Sequence, residues 1–212
     1  MRVYHFTKAE HGIENIERRR VKLATIIDLN DPFEWGWLTS SKPEVRKAIA
    51  QTKAHMDTIT GLVCFSRNWS NPVQWSHYAE QHRGICMGFD VPEQYLLRVE
   101  YERRRHVLTE ATPREIKDKL IRAKFSHWRY EQEMRLFEDI RTIERDDHGR
   151  YFKTFSDHMV LSEVIIGPKS TITRSRLASA LGGLSRDVKV TNARLSFTRY
   201  AVVTQRDRRF WA

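Results

Sequence analysis

The sequence predicts an α+β fold: one domain over residues 1–212, with a mixed, mostly antiparallel central sheet and flanking helices. Three observations carry this expectation. Strand-like segments outnumber helical ones and follow each other in irregular order, unlike the regular alternation that builds a parallel α/β sheet. A chain of 212 residues with 40% hydrophobic and 11% aromatic residues can bury a full core without disulfides or metals. No internal repeat, low-complexity segment or shift in composition marks a linker.

In order along the chain, Arg2 to Thr7 reads as a first strand, and Ala9 to Arg18 as a helix with Ile13 and Ile16 on its apolar stripe. Val21 to Ile27 reads as a second strand. Asp28 to Glu34 contains turn formers around Pro32 and is expected to be a loop, followed by exposed or lid-like Trp35, Trp37 and Leu38. Pro43 to Thr58 has helical character, with Ser40 or Ser41 as its cap and Glu44 in the first turn. It leads into a core strand at Gly61 to Ser66. After a turn cluster, Pro72 opens a short helix through Ala79, with Trp75 and Tyr78 on neighbouring helix positions.

Gly84 to Asp90 and Leu96 to Tyr101 are the next strands. Thr112 and Glu115 form a capping-box pattern for a helix from Pro113 to about Phe125. Trp128 to Phe137 follows as a strand, because aromatic and apolar residues surround it and no Gly or Pro interrupts it. Ser162 to Gly167 is a further strand and Thr173 to Leu181 the last helix, stopped by Gly182 and Gly183. Val188 to Val190 and Leu195 to Val203 are the closing strands.

The formal charge of +10 favours polyanionic partners through counterion release, with runs at Arg18 to Arg20, Arg103 to Arg105 and the tail from Arg206 to Arg209. Solvated surfaces on an Arg-rich protein account for the same runs. With 30% charged residues and a mean hydropathy of −0.61, and with neither a 20-residue apolar run nor a signal-peptide core, the expectation is a cytoplasmic chain with no membrane association. Cys64 and Cys86 sit in apolar runs and read as buried small hydrophobes.

Chemistry is expected to converge on Trp128 to Phe137. Alternation along a strand puts Glu131, Glu133 and Arg135 on one face, where a buried strand would be apolar. Two carboxylates about 7 Å apart along that strand can divide work, one stabilising positive charge on a substrate and the other orienting or deprotonating an acceptor. A solvated face with cross-strand salt bridges is the plain alternative. Nine scattered His, with no Cys pair and no His-Glu-x-x-His spacing, predict no metal site. Gly-x-Gly-x-x-Gly, P-loop and Gly-x-Ser-x-Gly motifs are absent, which disfavours dehydrogenase, P-loop nucleotidase and α/β-hydrolase readings. A Mg²⁺-dependent nuclease using Glu131 and Glu133, or a nucleic-acid-binding module built on the basic surface, stays open as the alternative.

Four segments together resemble the bacterial domain of unknown function numbered 2971: Tyr4-His5, Asn30 to Glu34, Trp75 to Ala79 and Trp128 to Arg135. That family in turn looks like a distant branch of the ADP-ribosyltransferase superfamily. The resemblance implies a split-sheet domain consuming NAD as a substrate, as a transferase or a glycohydrolase, in a toxin or antiphage effector with a nucleic-acid or protein acceptor. It implies Glu133 as the catalytic carboxylate and Glu131 as the residue addressing the acceptor. It further implies NAD binding by Tyr4, His5, Thr7, Ser66 and Arg135, with Trp75 or Tyr78 stacking on nicotinamide; Phe6 stands at the Gly position of the first-strand motif.

Overall fold

The computed structural model describes residues 1–207 and 209, except 32, 35, 37 and 111. The expected aromatics Trp35 and Trp37, together with Pro32 of the preceding loop and Arg208 of the basic tail, lie outside the described residues. In chain order the strands are β1 (Arg2–Thr7), β2 (Arg20–Leu23), β3 (Leu38–Thr39), β4 (Thr60–Ser66), β5 (Ile85–Asp90), β6 (Leu97–Arg98) and β7 (Glu100–Glu102). They continue with β8 (His106–Val107), β9 (Ala123–Phe125), β10 (Glu133–Asp139), β11 (Tyr151–Thr154), β12 (Val160–Ile166), β13 (Lys189–Leu195) and β14 (Val202–Thr204). The helices are α1 (Ala9–Glu17), α2 (Pro43–Ile59), α3 (Pro72–Tyr78), α4 (Pro113–Leu120) and α5 (Arg174–Leu181). The fold class is α+β, with a mixed and mostly antiparallel sheet. No helix among the described residues is long and apolar enough to cross a membrane.

The chain divides into two compact units. The first comprises Met1–Val21, Phe65–Glu93 and Lys153–Ala212, and the second Lys22–Cys64 and Gln94–Phe152. In the first unit the strand order is β14-β13-β12-β5-β1, and Tyr4 pairs with Ser66 beyond β1. Every pairing is antiparallel except β12 with β13, whose parallel register (Val164 with Val190) requires the crossover helix α5. Its core gathers Trp75, Ala79, Cys86, Ile165, Ala193 and Val202 around Tyr4, Phe6 and Trp69. Arg19 donates to the carbonyls of Ala180 and Leu181, satisfying acceptors that the end of α5 leaves open. Gly84 is required where it stands: a Cβ there would come within 2.1 Å of the Thr7 carbonyl.

In the second unit Ile26, Leu38, Val45, Ile49, Met56, Leu108, Ile116 and Leu120 form the core. Helix α4 contributes because the capping box holds: Thr112 Oγ1 accepts from Glu115 N while Glu115 Oε2 accepts from Thr112 N. Strand β10 lies between β4 and β6, pairing antiparallel with β6. Strands β7 and β9 pair in parallel, Tyr101 opposite Lys124.

Several predicted boundaries differ. The second strand stops at Leu23 and Ile26 to Asp28 is a 3-10 turn. Helix α2 begins at Pro43 as expected, but its N-cap is Lys42 and not Ser40 or Ser41: Ser40 Oγ donates to the Leu108 carbonyl and accepts from the Lys42 amide. The helix expected to reach Phe125 ends at Leu120: Arg122 O accepts from Glu100 N, and Ala123 to Phe125 become β9. Leu96 to Tyr101 is split into β6 and β7. Trp128 to Phe137 is not one strand. Ser126 to Glu131 forms a 3-10 helix, Gln132 adopts the left-handed conformation with φ 48°, and β10 begins only at Glu133. Finally, Leu195 to Val203 holds a turn over residues 196 to 201, with Ser196 N donating to Ala201 O, between β13 and β14.

Candidate active site

The second unit contains a buried charge cluster built from four separate pieces of chain. Glu34 comes from the loop before β3, Lys124 from β9, Glu131 from the 3-10 helix, and Glu133 and Arg135 from β10. Lys124 Nζ donates to Glu131 Oε2 at 2.7 Å and Glu133 Oε2 at 2.9 Å, and lies 3.5 Å from Glu34 Oε2. Arg135 Nε donates to Glu133 Oε1 at 2.8 Å, Nη2 pairs with Glu34, and Nη1 reaches the Ile121 carbonyl. The left-handed turn at Gln132 separates the 3-10 helix that carries Glu131 from the strand that carries Glu133 and Arg135.

The electrostatics follow from burial. Both cations and all three carboxylates are almost fully removed from water. Burial raises the Glu133 carboxyl above its ordinary value, opposed by Lys124 and reinforced by Glu131. Burial also pulls on the Lys124 ammonium, but Glu133 and Glu131 outweigh it and hold the amine above its usual range. Burial lowers Arg135 to about 9, which leaves it charged at neutral pH. The Cys64 thiol hydrogen-bonds Glu133 and is pushed well up by burial, so it is no nucleophile. The Tyr101 hydroxyl accepts from the Glu133 amide at 2.8 Å, fixing the start of β10. With every member ionised, three carboxylates face two cations and the cluster carries a net charge of −1. Such an arrangement contributes little to stability compared with an apolar core of the same volume, which makes it a functional-site candidate.

Lys124 is also where the cluster meets a cleft of about 200 Å³ walled by Phe33, Phe125 and the run Arg103 to Arg105. Phe33 and Phe125 are exposed there, and Lys124 Nζ stands 5.2 Å from the Trp128 ring centroid. The volume suits one planar ring with a charged group beside it, below the usual 300 to 1,000 Å³ of whole-ligand sites.

Of the residues singled out in the sequence, Glu131, Glu133 and Arg135 come together in this cluster, as buried groups and not as a solvated strand face. Tyr4, His5, Thr7, Ser66, Trp75 and Tyr78 belong to the first unit. Tyr4, His5 and Thr7 lie along β1, His5 with its ring edge-on to Phe65. Ser66 Oγ is engaged by Asn68 and Gln74 within the fold. Trp75 has no exposed surface: Nε1 donates to the Trp69 carbonyl and Phe6 packs edge-on against its ring. It is a core aromatic and offers no free face for stacking, whereas Tyr78 is half-buried. Sequence reasoning missed Lys124, Glu34 and Tyr101. Glu34 was present in the Asn-Asp-Pro-Phe-Glu loop, and a lysine flanked by Ala123 and Phe125 was the one signal for Lys124.

No group of three His, Cys, Asp or Glu suited to a metal ion occurs among the described residues. Between Glu131 and Glu133 the position a divalent cation would take is held by Lys124 Nζ. Comparison of the chain with protein-family models, with curated proteins and with solved structures yields no match.

Proposed function

We propose that this chain is an NAD-consuming ADP-ribosyltransferase or NAD glycohydrolase that works through the Glu131, Glu133 and Lys124 cluster, in the setting of a toxin or antiphage effector. The observation that carries the reading is the convergence of two carboxylates on one buried ammonium, with a net negative charge left over. Cleavage of the nicotinamide glycosidic bond sends the bonding pair to nicotinamide and leaves positive charge spread over C1′ and the ring oxygen of the ribose. With three carboxylates preorganised against two cations, the cluster stabilises that charge more in the transition state than in the ground state. Glu133, anchored through Oε1 by Arg135, is the fixed member of the pair and supports the developing cation. Glu131, at the end of the 3-10 helix, addresses the acceptor, whose oxygen or nitrogen adds to C1′ and gives up a proton. Phe33 and Phe125 supply ring faces and Arg103 to Arg105 supply charge for the pyrophosphate.

Incubating the protein with NAD and following nicotinamide release tests the reading. The wild-type protein is expected to release nicotinamide, and Glu133→Gln, with an unchanged circular-dichroism spectrum, to lose about 10²-fold or more of that rate. No release above a protein-free control, or equal rates in the two proteins, overturns it. Mg²⁺-dependent cleavage of DNA or RNA by the same preparation would instead support a nuclease.

A further inference from the structure

The charge of the chain is unevenly divided. The first unit holds 18 Lys and Arg against 10 Asp and Glu, so that +8 of the total +10 resides there. Part of it is gathered at the β13–β14 hairpin, where a cleft of about 560 Å³ lies between the loop at residues 68 to 70 and the hairpin itself. Arg194, Arg199 and Arg206 line this cleft, and among the described residues no carboxylate does. Among the described residues none of these three arginines is ion-paired with an acidic side chain. Hydroxyl groups of Ser70, Ser196 and Thr198 share the walls.

The hairpin is also built to hold these groups in place. Val202 N donates to the Ser70 carbonyl at 2.8 Å, and Gln205 N to the Asn192 carbonyl at 2.8 Å, fixing the strand ends on either side of the cleft. Asn68 Oδ1 accepts from both the amide and the hydroxyl of Ser70, which sets the opposite wall. Arg194 is pre-positioned, its guanidinium carbon 4.4 Å from the Phe197 ring centroid and its Nη1 donating to the Leu195 carbonyl. Four further N–H donors of that guanidinium are not used by this carbonyl bond. On the same turn Phe197 is 89% exposed and Tyr200 fully exposed. Two such solvated aromatics beside the cleft arginines serve no core.

We propose that this hairpin cleft binds single-stranded nucleic acid, the arginines holding successive phosphates and Phe197 and Tyr200 stacking on bases. The aromatics decide between strands: a stacking platform needs bases whose faces are free, which a duplex does not offer, whereas phosphate contacts alone do not discriminate. The proposal stands independently of the NAD chemistry, because it rests on the first unit alone.

Fluorescence anisotropy of the full chain with a labelled oligothymidylate of about 15 nucleotides, titrated between roughly 50 and 200 mM salt, tests it. Each phosphate contact to a single strand contributes about 0.7 to the slope of log affinity against log salt, so the Arg194→Ala/Arg199→Ala/Arg206→Ala variant is expected to lose about 2 from that slope. Phe197→Ala/Tyr200→Ala should raise Kd about fivefold or more with the slope unchanged. Arg141→Ala, whose guanidinium is paired with Asp139 elsewhere, should match the wild type. All these positions are exposed or half-exposed, and unchanged melting curves confirm intact folds. An unaltered slope in the triple variant overturns the proposal. So does equal or tighter binding of a duplex of the same length, or equal displacement of the oligonucleotide by inorganic phosphate or by polyglutamate at matched ionic strength.

Discussion

Replacing Lys124 by methionine keeps most of the apolar body of the side chain and removes the ammonium with its charge and its two donated hydrogen bonds, so it tests what the ammonium does. In the folded protein that ammonium sits 2.7 Å from Glu131, 2.9 Å from Glu133 and 3.5 Å from Glu34, with 4% of the side chain exposed. Its loss takes the cluster from −1 to −2 with Arg135 as the sole counter-charge. Breaking a buried pair by removing one partner costs about 3–5 kcal/mol, because the remaining charges keep their desolvation penalty. Against a total stability of about 5–15 kcal/mol and a urea dependence of about 1–3 kcal/mol per molar, the unfolding midpoint should fall by about 1 M or more. Arg141→Met, which removes a solvated partner of Asp139, should leave the midpoint where it was.

The pH dependence gives the same experiment a second reading. Glu133 in the folded protein has its carboxyl raised by burial, so it binds a proton more tightly folded than unfolded, and that mismatch costs stability as pH rises above about 4.5. Lys124 opposes the rise; without it the mismatch widens. The Lys124→Met variant should therefore recover stability relative to wild type as pH falls from 8 to 5. The ammonium itself, held above its ordinary value, contributes equally throughout that window. A midpoint loss worth less than about 1 kcal/mol, or one identical at pH 5 and pH 8, refutes the account of the cluster as an uncompensated buried charge.

Glu131→Gln should lower transfer of ADP-ribose to an acceptor while leaving part of the nicotinamide release, measured side by side with labelled NAD; equal loss of both would mean the carboxylates do not divide the work. Gly84→Ala should lower the melting temperature by about 4 °C or more in a calorimetric scan, because its Cβ meets the Thr7 carbonyl at 2.1 Å and only backbone movement relieves that overlap.

Local signals were the readable part of the sequence. Strands β1, β4 and β5 and helices α1, α2 and α5 fall within a few residues of their predicted bounds, because each carries an apolar pattern of clear period between turn formers or caps. Two of the errors are abrupt changes of conformation: at Arg122 the chain leaves the helix where its carbonyl accepts from Glu100 N, a partner distant in sequence, and at Gln132 it passes from a 3-10 helix into β10. Nothing in the local period announces either event, and Gln132 takes a left-handed conformation that the sequence would assign to Gly or Asn. Glu131, Glu133 and Arg135 were legible as chemistry because charge is out of place on such a strand. Lys124 was not, since a lysine reads as surface until a second residue is known to neutralise it. Trp75 shows the converse: an aromatic at helical spacing beside a Ser-His-Tyr run looked like a ligand platform and is core.

The order in which strands are laid side by side in the first unit has a consequence for how it is made. Val3 of β1 pairs with Phe89 of β5, and Phe89 pairs in turn with Leu161 of β12, so the sheet joins the beginning, the middle and the last third of the chain. The pieces of the second unit, by contrast, are all synthesised by residue 152. During translation the second unit can therefore assemble while β5 still lacks the neighbour that covers its far side, leaving that strand with an open hydrogen-bonding edge. Closure waits for β12, and then for α5 to carry the chain across to β13. The arginine-lined hairpin is the last of the described strand pairs to be synthesised. A ribosome-bound chain arrested before β14 has the acidic-cluster unit complete and the basic cleft missing, which separates in time two properties that the finished protein holds together.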